Sequence, residues 1–350
     1  MSSGAVALRD ALRESCTFDI DEVQVRTLVR DLHRVNARVY WADLLGSAIL
    51  GWGAFALAVI LPPFSAGMLA ASVVAILALY RALCFVHELS HQNFRTLPGF
   101  EAVWNFLVGY PLLMPSFVYV GVHQDHHKLS VYGTSGDPEY LPFARSTLMT
   151  TIFALESFLI PAALLVRYLV LGPIGLISKR LQNWLAVHAS SLTINIRYRR
   201  DVNPSLLRTI RCGTVFILAM WGAGIVFGVL GFIPWRAFAI WFVIVSLASF
   251  VNTLRTLGAH AYESSGEPLD RMGQLIDSID TPGRFWTELW APVGLRYHAL
   301  HHYFPGIPYH ALPEAYRRLV GTLPLAVEYR KMTSPSLPHS LTSLIRKGLR

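Results

Sequence analysis

The sequence predicts an all-α integral membrane protein, with four transmembrane helices in two hairpins and a cytosolic helical cap that holds a histidine-rich di-metal site. Three observations lead there. The 350 residues are 53% hydrophobic and only 15% charged, with a mean hydropathy of +0.42, which is a membrane composition rather than that of a soluble domain. Four apolar runs of about twenty residues are each long enough, at ~1.5 Å per residue, to cross a hydrocarbon layer of ~30 Å. Eight of the thirteen histidines fall into three tight clusters.

Taken in order, residues 1–41 alternate acids with Arg9, Arg13, Arg26, Arg30, Arg34 and Arg38 and read as a cytosolic amphipathic segment, without a signal-peptide core. The membrane domain runs over 42–319. Residues 42–61 form the first span, Pro62-Pro63-Phe64-Ser65 a tight turn, and 66–86 the returning span. A second hairpin follows at 213–232 and 235–254, turned at Pro234, with Gly224-x-x-x-Gly228 as a close-packing face. Residues 320–350 form a basic cytosolic tail. Two further apolar stretches, Val103–Val122 with Pro111 and Pro115, and Thr147–Leu171 with Glu156, Pro161 and Arg167, read as interfacial or re-entrant. Parity requires it: clusters sharing one site must be separated by an even number of crossings. Lys and Arg agree, with six in 1–41, eleven in 87–212 and eleven in 255–350, against Arg236 alone in the outer turns. The formal charge of +8 is therefore a positive-inside bias rather than a nucleic-acid surface.

The clusters are His87-x-x-x-His91, His123-x-x-His126-His127 and His298-x-x-His301-His302. Spacings of three and four put the imidazoles of each on one helix face, as metal ligands require. His260, six residues past the last span, reads as a ninth ligand, while His33, His188, His310 and His339 read as structural. Nine neutral nitrogen donors without thiolates suit redox-active iron with positions left open for oxygen, and one ion would use only three or four. Two metal ions are implied. Cys16, Cys84 and Cys212 form no disulfide framework or zinc ribbon, and Cys84 reads as a small buried hydrophobe. Glu88, Asp125, Asp137 and Glu139 are candidates for orienting imidazoles, with a solvated face as the alternative. His87-Glu88-Leu89-Ser90-His91 also satisfies the zinc-protease pattern His-Glu-x-x-His, but that reading leaves six clustered histidines idle. A divalent-metal transporter would want ligands near mid-span, whereas these lie at span ends.

The order and spacing of the three boxes between apolar hairpins resembles the membrane fatty acid desaturase and hydroxylase superfamily, from about Ala42 to Leu319. The resemblance implies a non-haem di-iron enzyme that uses O2 to attack an unactivated C–H bond of a membrane lipid or acyl chain. Carried over box by box, His87, His91, His123, His126, His127, His298, His301 and His302 would be iron ligands and catalytic residues, and His260 matches a histidine that such desaturases place after the last span. An Asn that acts through water in stearoyl-type members is replaced here by Thr256, with Asn252 a turn further back. The expected reaction is double-bond insertion by a lipid desaturase, with hydroxylation or ketolation by the same superfamily as the alternative. The site would lie on the cytosolic side of a bacterial inner membrane or endoplasmic reticulum. The sequence has no His-Pro-Gly-Gly haem signature, iron–sulfur spacing or dinucleotide fingerprint, so the two electrons are expected from a separate donor of ferredoxin, rubredoxin or cytochrome b5 type. The basic cluster Arg197, Arg199, Arg200, Arg208 and Arg211 is its expected docking face, with a positive-inside flank as the alternative.

Overall fold

The computed structural model of the chain describes residues 22–92, 96–322 and 329–349. Arg9, Arg13 and Cys16 of the amphipathic segment lie outside the described residues, as does part of the basic tail. Among the described residues regular structure is helical, joined by a few isolated β-bridges.

The first hairpin is longer than the apolar pattern alone implies. Helix α1 (Glu22–Val29) precedes α2 (Ala37–Ile60), which starts where the Asn36 side chain accepts hydrogen bonds from the backbone N–H groups of Arg38 and Val39. Ser65 caps α3 (Ala66–His91) in the same way after the diproline turn. The first histidine pair therefore occupies the last turns of α3 itself. The two helices touch at Gly51, where an added Cβ would lie 2.7 Å from the Leu79 side chain and 3.1 Å from its backbone nitrogen. Gly224 has nothing within 4 Å, so the Gly224-x-x-x-Gly228 motif is not the close-packing face that was expected.

The described part of the amphipathic start, from Glu22 on, packs against the rest of the protein. Val25 and Val29 of α1 are buried in a small core with Leu312, Ala315 and Leu319, and Arg318 clamps α1 by bonding Leu28 O (2.8 Å) and Asp31 (2.6 Å). This segment is a wall of the cap.

Val103–Val122 is not one helix. It is a short helix α4 (Phe100–Trp104), a π-helical turn (Asn105–Gly109), an irregular bend and a 3₁₀ turn (Ser116–Val118). Such a backbone can sit among apolar helices only if its freed carbonyls find donors. Tryptophans supply them. Trp52 donates to Leu107 O (2.8 Å), Trp221 to Tyr110 O (3.3 Å) and Trp241 to Pro111 O (3.0 Å), while Asn105 and Ser116 bond each other across the bend.

Thr147–Leu171 departs from expectation. It is part of a continuous helical run, Thr147–Ile177, and among the described residues this is one of five helices long and apolar enough to cross a membrane by length and composition. The polar residues and Pro161 bend the run instead of ending it: a 3₁₀ turn (Ser157–Leu159) precedes Pro161, and a π-helical turn (Val166–Val170) carries Arg167, whose Nε bonds Ala189 O at 2.6 Å. We call this run α6, after α5 (Val122–His126); α7 (Lys179–His188), α8 (Pro204–Val229) and α9 (Arg236–Leu257) follow. The cap is completed by α10 (Arg271–Asp277), α11 (His298–Tyr303), α12 (Leu312–Gly321) and α13 (Leu337–Gly348). Among the described residues the chain is thus a helical, multi-pass membrane protein with nine of its histidines collected under the cap.

Candidate metal centre

Each histidine group is held by a local device that the sequence pattern does not reveal. His87 and His91 need only the regular i, i+4 geometry of α3. The second group hangs on α5, a short helix fixed by Arg200. This guanidinium is buried and bonds Phe117 O, Ser190 O (2.8 Å) and Val120 O (2.7 Å), directly beneath Gly121, whose φ of +86° only glycine adopts without strain. Arg200 is therefore a clamp for the loop that launches α5 and is unavailable for docking, in contrast to the exposed Arg197, Arg199, Arg208 and Arg211. The third group rides on α11, whose first N–H groups point at Asp280: Ala299 N and Leu300 N bond Oδ1 at 2.8 and 3.2 Å, and Tyr329 OH donates to the other oxygen. Burial pushes the Asp280 carboxyl up to about 7.

The structure brings all nine predicted histidines into one cluster, split into two sets. The ligand nitrogens of His87, His91, His123 and His301 lie within 4.8 Å of one another, and so do those of His126, His260 and His302. His127 joins the first set, its Nε2 lying 3.1 Å from His123 Nε2 and 3.3 Å from His301 Nε2; His298 joins the second, 2.8 Å from His260 Nε2 and 3.2 Å from His302 Nε2. His301 Nε2 also meets His91 Nε2 at 3.1 Å. Each set draws on the second and third clusters. His33, His188, His310 and His339 take no part; His310 accepts from Asn36 N and His188 stacks on Trp184.

The outward nitrogens explain why the inward ones face each other. His126 Nδ1 bonds both Asp137 oxygens (2.8 and 3.0 Å), and His123 Nδ1 bonds Glu139 (2.9 Å) and Tyr119 OH (3.0 Å). His260 Nδ1 reaches Tyr132 OH at 2.9 Å, which in turn donates to Asp277 at 3.0 Å. A carboxylate or phenol on Nδ1 places the proton there and leaves the Nε2 lone pair pointing inward. Two of the four sequence candidates thus orient imidazoles, Asp137 and Glu139. Asp125 instead pairs with Lys128 (2.6 Å) and Tyr198 (2.5 Å), and Glu88 binds Tyr40 OH and Tyr309 N. Tyr132, Asp277 and Asp280 were not legible in the sequence, because nothing in their spacing ties them to the histidines, Tyr132 lying 128 positions from His260, whereas Tyr119 sits four residues before His123 and offered that one signal.

These nitrogens fit metal ions. Two nitrogens side by side on one ion at ~2.1 Å would be ~3.0 Å apart, the range found here. Burial holds His123, His127, His260, His298, His301 and His302 well below the usual histidine range, so they are neutral nitrogen donors rather than a cationic cluster. Burial also opposes charge on His126, but the neighbouring Asp137 carboxylate outweighs it and raises this group. His126 Nε2 and both ring nitrogens of His87 are buried with no hydrogen-bond partner, as ligand atoms awaiting a cation would be.

Comparison with known proteins decides the family. A model of the fatty acid desaturase family, "Fatty acid desaturase", matches residues 63–333. The chain belongs to this family. It is also 39% identical over 329 residues to a protein of Caulobacter vibrioides named "Ceramide hydroxylase", covering 93% of each chain. This family member therefore presents a di-metal-compatible histidine site beside a cavity of about 260 Å³ that His87, Tyr119 and Glu139 line together with Leu83, Val118 and Phe153. Cys84 lines the same cavity.

If the two sets are separate ion sites, His301→Ala and His302→Ala each lower the metal content from two ions to about one per chain. Asp137→Ala keeps all ligands but weakens metal affinity ~10–100-fold. Metal analysis after graded chelator dialysis reads both; equal retention by Asp137→Ala and the unaltered protein contradicts the orienting role.

Proposed function

We propose that this protein is a di-iron, O2-dependent hydroxylase of a ceramide-class membrane lipid. The observation that carries the reading is the 39% identity to a ceramide hydroxylase over nearly the whole of both chains. It favours hydroxylation over the double-bond insertion that the histidine boxes by themselves suggest. The donor set is consistent with iron, being nitrogen throughout, and the nine histidines are the proposed ligands and catalytic centre. The reaction balances as C–H plus O2, two electrons and two protons giving C–OH and water. Iron supplies the activation of O2; the rest is the work of the chain.

The carboxylates on Nδ1 fix the ligand nitrogens so that they need not reorient during turnover. The cap and the apolar wall of the cavity exclude water from a site where a strong oxidant would otherwise attack solvent or side chains. Glu139 accepts from His123 Nδ1 and lines the cavity, so one carboxylate both fixes a ligand ring and faces the substrate. Membranes carrying the protein, given a deuterated ceramide under ¹⁸O2, should yield a product with one added ¹⁸O. A product short of two hydrogens with no added oxygen would return the reading to desaturation.

The topology we propose keeps four crossings, with both termini and the histidines on the cytosolic side. His127 and His301 meet at 3.3 Å, so the chain between them crosses an even number of times, and only two of α6, α8 and α9 can span. α6 is the one set apart, kinked and carrying Arg167. Its exposed Leu148, Leu155, Leu159 and Ile177 suit a helix lying in the interface. Cysteines at Ser135 and Ser265 should label from one face and a cysteine at Phe64 from the other; labelling of Ser135 and Ser265 from opposite faces rejects this arrangement.

The electrons are proposed to come from a separate acidic donor of ferredoxin, rubredoxin or cytochrome b5 type, docking on Arg197, Arg199, Arg208 and Arg211. Arg199→Glu with Arg208→Glu should slow donor-dependent reduction several-fold and flatten its ionic-strength dependence, with metal content unchanged. An unaltered salt series in that variant would reduce the patch to a topology signal.

A further inference from the structure

The cavity beside His87 has an apolar wall and a polar one. Ser249, Asn252, Thr253 and Thr256 recur at i, i+3, i+4 and i+7, so the otherwise apolar α9 turns one polar stripe toward it. Arg255 flanks the stripe and lines the same space. It is 8% exposed and gives Nη2 to Asn252 Oδ1 at 2.9 Å, while its Nε has no hydrogen-bond partner. Two hydroxyls on the cavity wall, Ser191 Oγ and Ser249 Oγ, are likewise buried and unpartnered. Leaving such groups unsatisfied is costly, most of all for a charged donor. Three of them around one cavity mark a place that a ligand completes.

We propose that this wall is a cradle for the neutral amide head of the lipid substrate: Arg255 Nε donates to the amide carbonyl, and Ser191 and Ser249 bond its N–H and hydroxyl groups. The substrate class rests on the hydroxylase reading above; the cradle itself rests on the unpaired donors. Glu139 faces the same cavity, so one guanidinium leaves no surplus positive charge to hold a phosphate. Hydroxyls that both donate and accept match an amide with neighbouring hydroxyls better than a carboxylate, which only accepts. Arg255 is a positioning residue. Because the head and His87 share a cavity of about 260 Å³, the carbon presented to the metal centre lies close to the head group, not far down the chain.

Binding tests this without turnover. Full-length protein in detergent is titrated, by intrinsic tryptophan fluorescence, with a short-chain ceramide, with the methyl ester of the same acyl chain, and with a phosphatidate of similar length. The ceramide should bind at least tenfold more tightly than the ester. Arg255→Met should cost the ceramide, with its stronger amide acceptor, several-fold more affinity than the ester and so remove most of that preference, with metal content unchanged, and Arg255→Lys should keep part of it. Should Arg255→Met fail to fold, Ser191→Ala with Ser249→Ala decides on the same comparison. The proposal is overturned if the unaltered protein shows no preference, if the preference survives the substitutions, if ester and ceramide lose affinity alike, or if phosphatidate binds more tightly than ceramide. Product analysis is read separately. An Arg255-dependent preference without hydroxylated product leaves the cradle and removes the hydroxylase reading, and hydroxylated ceramide without the preference does the reverse.

Discussion

Nine imidazoles packed nitrogen against nitrogen in a buried space are the constraint on which the rest of the structure depends. Where the outward nitrogen is bonded to a carboxylate or phenol, as in His123, His126 and His260, the inward lone pairs face one another and repel unless a cation lies between them. Holding them there takes rigid supports from every direction. α3 gives two ligands from a regular helix, whereas α5 and α11 are single turns that could not keep their place alone. They are kept by two buried ions that touch no ligand side chain, Arg200 gathering carbonyls ahead of α5 and Asp280 gathering N–H groups at the start of α11.

The same demand explains the irregular membrane segments. In the proposed topology, bringing the second cluster under the cap takes the chain out of α3, into a dip and back without crossing, and a dipping backbone exposes polar groups where no water can satisfy them. Trp52, Trp221 and Trp241 reach in from three long helices to bond carbonyls of the dip. The indole is suited to this, since it offers one donor on a large apolar ring and leaves no second polar atom to satisfy. The dip in turn carries Met114 and Val118 to the wall of the cavity, so the device that solves the backbone problem also shapes the space beside the metal centre.

That cavity links the histidine site to the lipid chemistry. One side offers aliphatic and aromatic surface for a chain, and the other offers Arg255 with hydroxyls for a head. Asn252, one turn before Thr256, is engaged with Arg255 and belongs to this polar wall. The similarity to a ceramide hydroxylase and the polar lining are the two independent observations behind the proposed amphipathic substrate.

The sequence by itself determined the helical membrane class, the apolar helices and the histidines that come together, because each is written in short-range pattern: apolar runs of bilayer length, eight imidazoles three and four residues apart on one face, and His260 just past the end of an apolar run. Only the tertiary structure decided how those histidines divide into two sets, which carboxylates orient them, and that Arg200 is a buried clamp rather than a surface charge. It also decided that α6 is one bent helix, since whether a proline or an arginine ends a helix or merely kinks it depends on the partner waiting there, here Ala189 O for Arg167. Contacts such as Tyr132 with Asp277, 145 residues apart, arise from where the fold brings the chain back, and no local pattern encodes that.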